Sequence, residues 1–135
     1  MPANFLDTNV LLYLASGDAA KADRAEAAIG AGGAINVQVL NELTNVARRK
    51  MRMPWRDTHI FLDMLRTLLT VHPLTVETHE TGLLLAQRYG FSVYDAMIAA
   101  AALCAGCNTL LSEDMQDGMV LEEGLRIINP FQLPG

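Results

Sequence analysis

Cysteine is scarce in this chain, and that rules out the simplest ways a small protein is stapled together. The two that are present, Cys104 and Cys107, form "CAGC", which has the spacing of a redox pair. They close an expected helix, however, where the dipole disfavours a thiolate, and two thiols alone cannot complete a four-ligand zinc site. We expect both to be buried and reduced. Histidine is equally sparse: His59, His72 and His79 show no tight ligand spacing, so they read as structural or surface residues. Lysine occurs only at positions 21 and 50. An aspartyl-phosphate receiver or phosphatase would need an active-site lysine late in the chain, so that class is disfavoured.

Long apolar runs are missing too. The longest nearly unbroken one, Ala96 to Ala105, is about half of what a membrane span needs. No basic start precedes an apolar secretory segment, so the expected location is cytoplasmic, without a membrane partner. "GAGG" at residues 30–33 lacks the spacing of a dinucleotide fingerprint, and neither a P-loop nor a G-x-S-x-G elbow occurs.

What the chain does have is apolar residues, 51% of the total, recurring in short segments from end to end. A chain of 135 residues can bury about two-thirds of its unfolded surface, enough for a core without disulfides or a structural metal. The expectation is a single domain over residues 1–135. Net charge is −5, which argues against general avidity for nucleic acid. The distribution says more than the sum: Arg48, Arg49, Lys50, Arg52 and Arg56 place half of the 10 cationic residues in "RRKMRMPWR".

Ala3 to Leu6 reads as a strand and Asn9 to Ala15 as a short helix or turn. Asp18 can cap a helix from Ala19 to Ile29, and "AINV" is a second strand leading into a helix from Val39 to Met51. Pro54 suits the start of a helix from Trp55 to Leu69. "TVHPL" is a third strand, limited by Pro73. Thr75 opens a helix that Gly90 closes, Ser92 caps an alanine-rich helix to Ala105, and "NTLLS" and "RIIN" supply the last strands. Strands alternating with helices predict an α/β fold of three layers, with a mainly parallel central sheet of four to five strands flanked by helices. Chemistry in such sheets sits beyond the carboxyl ends of the strands.

Taken singly, the candidate acids have ordinary explanations. Asp7 can cap the short helix, Asp95 can complete a capping box with Ser92, and Asp114 can favour a helix start after Ser112. Glu42 lies at the edge of an apolar stripe of Val39, Leu43 and Val46 and should be partly solvated. Together they are harder to explain as caps, because all four fall at the same end of a parallel sheet. Carboxylates that converge repel one another and raise their own pKa values unless a cation holds them. Mg²⁺ is the economical occupant, with Mn²⁺ as a substitute, since both accept oxygen ligands and can retain waters.

Four stretches, "FLDTNVLLYL", the Glu in "NELTNV", "SVYDAMIAAAA" and "LLSEDMQDG", resemble the four acidic motifs of PIN domains in the order that family uses them. The likeness is nearest to the VapC toxins of bacterial toxin-antitoxin operons and covers nearly the whole chain. It implies a metal-dependent endoribonuclease with Asp7, Glu42, Asp95 and Asp114 as the catalytic acids, of which Asp7, Asp95 and Asp114 hold the metal. The last motif offers both Asp114 and Asp117 as the fourth acid; Asp114 is favoured because it lies nearer the strand end, with Asp117 close enough to help through water, whereas Glu113 should point elsewhere. Thr8, Asn9 and Ser112 are expected to orient ligands or water. The resemblance further implies an RNA substrate, a cognate antitoxin, a homodimer, and contact with operator DNA only through the antitoxin. Arg49, which shares a face with Glu42, and Arg52 are candidates for contact with RNA or antitoxin. Leu11, Leu12 and Tyr13 could offer a docking groove, although packing is their default role. The rival reading is a PIN-like module that binds a partner without catalysis; its mark would be lost acids, and here all four positions are filled.

Overall fold

Side-chain caps set most element boundaries in the chain, for which a computed structural model describes residues 4–132. Strand β1 (Asn4–Leu6) runs into Asp7, which starts α1 (Thr8–Leu12), and a single 3-10 turn follows at Tyr13–Ala15. Ala3, the expected first residue of that strand, lies outside the described residues. Asp18 accepts the Lys21 N–H and caps α2 (Ala19–Gly30). Strand β2 (Gly33–Asn36) sits one residue earlier than "AINV", and α3 (Val37–Arg49) begins two residues before Val39. Asn36 explains both shifts: its Oδ1 accepts the Val39 N–H at 3.1 Å, so this side chain is the cap and Val37 is already helical.

Helix α4 (Trp55–Leu68) follows Pro54, and β3 (Thr70–His72) stops where Pro73 removes a donor. Thr75 caps α5 (Val76–Tyr89), and Gly90, at φ +71°, closes it in the left-handed conformation. Ser92 caps α6 (Val93–Cys104), and β4 (Thr109–Leu111) and β5 (Arg126–Ile128) complete the sheet. The strands lie in the order β3-β2-β1-β4-β5, and each of the four pairings is parallel. From β1 the chain works outward through β2 to β3, then returns to the opposite side for β4 and β5. The order therefore reverses between β1 and β4, the place where open α/β sheets form a crevice beyond their carboxyl ends.

Phe5, Leu6, Ile35, Leu110 and Ile127 are wholly buried, as a parallel sheet covered on both faces requires. Ala96, Ala99, Ala100 and Ala102 are buried as well; their small side chains let α6 lie close to β2 and β4. Asp95 precedes this buried run and so stands at its rim. Leu11 is core, and the half-buried Leu12 and Tyr13 pack against it. The cysteines divide: Cys107 is buried as expected, but Cys104, the last residue of α6, is exposed. No helix among the described residues is long and apolar enough to cross a membrane.

Candidate active site

Asp7 is at once a cap and a buried acid. Its Oδ1 accepts the Thr8 N–H at 2.7 Å, and its Oδ2 accepts the Ser112 hydroxyl at 2.9 Å and the Asn9 amide at 3.2 Å. The position follows from the sheet: the Asp7 N–H continues the β1–β4 ladder to the Leu111 carbonyl at 2.9 Å, which brings the residue after β4, Ser112, against the residue after β1. Burial pushes the Asp7 carboxyl up to about 6, and the nearby Glu42 and Asp95 charges add to the rise. The Ser112 and Thr8 hydrogen bonds pull the other way without cancelling it.

The other acids arrive from separate elements. Glu42 projects from α3, where its Oε2 accepts the Thr8 hydroxyl at 3.0 Å and its Oε1 the Gln38 amide at 3.4 Å. Asp95 lies in the first turn of α6, its N–H donated to the Ser92 hydroxyl at 3.2 Å. Asp114 follows β4 in an irregular loop, not at a helix start, so capping does not account for it. Its Oδ2 accepts the Asn9 amide at 3.1 Å, which makes Asn9 a bridge between the first and last acids.

Asp7, Glu42, Asp95 and Asp114, with Thr8 and Asn9 among their neighbours, line one cavity of about 240 Å³, and no basic residue lines it. Asp117 is elsewhere: its carboxylate accepts the Asn129 N–H at 2.8 Å and ties the loop to the end of β5. Glu113 points away as expected, accepting the Tyr13 hydroxyl at 2.7 Å and the Lys21 ammonium at 2.6 Å. Burial alone would raise its pKa; these two partners override that and hold it below the usual range. Arg49 and Arg52 are exposed and lie outside the cavity wall.

An oxygen-only donor set with no cation of its own suits a hard divalent ion, which would stabilise the Asp7 carboxylate against the burial that raises its pKa and the smaller repulsion from Glu42 and Asp95. Among the described residues no three His, Cys, Asp or Glu side chains stand close enough to share one ion. The residues therefore fit an ion that keeps several waters and takes one or two carboxylates directly, as Mg²⁺ does, better than they fit a closed cage.

Sequence reasoning missed two neighbours of the acids. Gln38, one turn before Glu42 on the same helix face, was findable from its i, i+4 spacing. Tyr94, 76% exposed on the cavity rim, stands inside a quoted motif next to Asp95 but carries no signal of its own.

Comparison with known proteins agrees with this fold. No curated protein sequence matches the chain. Among solved structures, a toxin-antitoxin complex from Klebsiella pneumoniae superposes with a TM-score of 0.72 at 21% identity, covering 97% of this chain and 100% of that one. VapC20 of Mycobacterium tuberculosis, described as a toxin that cleaves the sarcin-ricin loop, gives 0.67 at 20% identity, over 83% of this chain and 90% of its own. VapBC2 of Rickettsia felis, solved with a DNA fragment from its promoter, gives 0.61 at 20% identity, over 83% and 88%. At these identities the likeness speaks for the fold. The family model for the PIN domain matches residues 5–116, a span that runs from β1 through the loop carrying Asp114, and the chain belongs to the PIN domain family.

Proposed function

We propose that this chain is a metal-dependent endoribonuclease of the VapC kind, the toxin of a toxin-antitoxin pair. The observation that carries the reading is the convergence of Asp7, Glu42, Asp95 and Asp114, from four separate elements, on one cavity at the carboxyl end of the sheet. A phosphodiester would not approach four carboxylates unaided, so the site needs a cation to accept its substrate. Asp7, Asp95 and Asp114 would hold Mg²⁺ or Mn²⁺, directly or through its waters. When bound, the ion would supply charge neutralisation at the scissile phosphate and a lowered pKa for water.

The chain's own residues do the rest. Asn9 sets the Asp7 and Asp114 carboxylates relative to each other, Ser112 keeps Asp7 turned towards the cavity, and Thr8 and Gln38 orient Glu42. Glu42 then positions the attacking water. Water adds to phosphorus and the 3′-oxygen leaves, giving a 5′-phosphate and a 3′-hydroxyl. Arg49 and Arg52 are assigned to the RNA backbone or to the antitoxin.

The fold likeness to toxin-antitoxin complexes supports a cognate antitoxin as partner. Operator DNA reached only through that antitoxin, and a homodimer as the assembled form, belong to the same proposal. A partner-binding module without catalysis has one observation in its favour, that no three acids share a single ion position among the described residues. The filled acidic positions, and the hydrogen bonds that orient Asp7, Glu42 and Asp114, favour catalysis.

Labelled total RNA incubated with antitoxin-free protein and Mg²⁺, Mn²⁺ or a chelator tests the proposal, beside Asp7→Asn and Asp95→Asn variants shown to be folded. Metal-dependent cutting that both variants lose is the expected result. Cutting that persists in a chelator, or in both variants, would overturn it.

A further inference from the structure

We propose that the turn between α3 and α4 is a binding site for single-stranded RNA, where Trp55 stacks on an unpaired base and the surrounding cations hold the backbone phosphates. The inference rests on the reading of RNA as substrate and adds to it a site outside the carboxylate cavity. Trp55 opens α4 and is 55% exposed, so packing does not account for its size. One side of its ring is occupied: the Arg48 guanidinium carbon lies 4.2 Å from the ring centroid, and Arg48 is itself held by donating to the Met53 carbonyl at 2.7 Å. His59 stands 6.1 Å from the ring, tilted by 37°. An indole steadied in this way loses little freedom when a base settles on its open surface, which is how proteins hold single strands without reading their sequence.

Most of the charges around Trp55 are unpaired by acids among the described residues. Among the described residues the ion pairs are Lys21 with Glu113 and Arg88 with Glu122, so Arg49, Lys50, Arg52 and Arg56 take part in none. Five cations gathered in nine positions of a chain with net charge −5 are complementary to a polyanion. They are also carried on ordered backbone: the Met51 N–H bonds to the Val46 carbonyl and the Met53 N–H to the Ala47 carbonyl, while Arg52 takes the left-handed conformation at φ +51°. Helix α3 joins the two places, with Glu42 in the cavity wall and Arg49 seven residues on, about 10 Å along the axis. Stacking on an aromatic face requires an unpaired base, which selects single strands over duplex RNA.

Trp55 is the only tryptophan, so intrinsic fluorescence reports on this site alone. A short unstructured RNA is titrated into the whole protein in the presence of a chelator, which prevents cutting, and anisotropy of the same labelled RNA is followed in parallel. Saturable quenching is expected, with affinity falling steeply as salt rises. Trp55→Leu should weaken binding by anisotropy about tenfold, Arg49→Glu with Arg52→Glu should weaken it further and flatten the salt dependence, and duplex RNA should quench little. Circular dichroism confirms that each variant is folded. Binding by anisotropy with unchanged Trp55 emission, or equal affinity in the variants, would overturn the proposal. So would quenching by an acidic peptide but not by RNA, which would make the turn a protein-docking surface. The outcomes separate from those of the nuclease reading: quenching without any cutting when metal is restored keeps this site and sinks the activity, whereas cutting without quenching does the reverse.

Discussion

Ser112 donates its hydroxyl to the Asp7 carboxylate at 2.9 Å, joining residues 105 apart in sequence at the tips of adjacent parallel strands. This bond opposes the burial that lifts the Asp7 pKa. Ser112→Ala should therefore raise that pKa beyond about 6 and leave less ionised carboxylate near neutrality. Metal affinity should fall about tenfold at pH 6.5 and by less at pH 8.5, where Asp7 is ionised either way. Stability should drop by about 1 kcal/mol, since both groups are buried. Thermal shift on Mn²⁺ titration at the two pH values checks it, and an equal loss at both would refute the electrostatic part.

Asp7→Asn separates stability from function. The folded pKa of about 6 lies above the ordinary 3.8, so the folded state binds the proton more tightly than the unfolded chain does. The favourable contribution is complete below pH 3.8 and is lost as pH rises through about 6, a difference worth up to about 3 kcal/mol. Without metal, the variant should match the wild type near pH 4 and melt higher than it at pH 7.5. Added Mn²⁺ should stabilise the wild type and leave the variant unmoved. A variant that melts lower at pH 7.5 would mean that the lost hydrogen-bond acceptor outweighs the relieved charge.

The element order was legible because most boundaries rest on local chemistry. Asp18, Thr75 and Ser92 each cap a helix through a residue three places on, and Pro54 and Gly90 act through their own backbone geometry. The convergence of the four acids was legible because Asp7 and Asp114 follow strands while Glu42 and Asp95 lie near helix starts, all at one end of the sheet. Long-range partners were not. Nothing near Asp117 indicates that it turns to Asn129, and nothing near Cys104 shows that this last residue of α6 faces outward. Lys21 and Tyr13 gave no sign of meeting at Glu113, because 92 residues separate that lysine from its acid. Local pattern cannot encode a contact that only the strand order creates.

Gly33 opens β2 opposite Asn4, and a Cβ there would lie 2.9 Å from the Asn4 carbonyl oxygen and press on the Leu6 side chain. The obstacle is partly backbone, so it cannot swing aside. Gly33→Ala should cost about 1 to 3 kcal/mol by forcing β1 and β2 apart. Urea unfolding with an unchanged slope and an earlier midpoint is the expected signature; an unshifted midpoint would show that the pair relaxes freely.

The last prediction concerns a clamp behind the site. Glu113 sits between Ser112, which orients Asp7, and Asp114, which faces the cavity. Its N–H donates to Asn9 Oδ1 at 3.1 Å, while its carboxylate is gripped by Tyr13 and Lys21. Lys21 also donates to the Tyr13 hydroxyl at 3.0 Å and lies 4.6 Å from the centre of that ring, so the turn after α1, α2 and the acidic loop are fastened at one point. Glu113→Gln keeps the shape and removes the charge that draws Lys21 in, whereas Lys21→Ala removes the grip from the other side. Either change should leave the melting temperature nearly untouched, because the pair is partly exposed. Cleavage should nonetheless slow about tenfold or more, since small displacements of a catalytic group are costly. Lys21→Arg, which can still reach the carboxylate, should recover most of the rate. Equal rates in wild type and all three variants would show that Asn9 alone suffices to hold the loop.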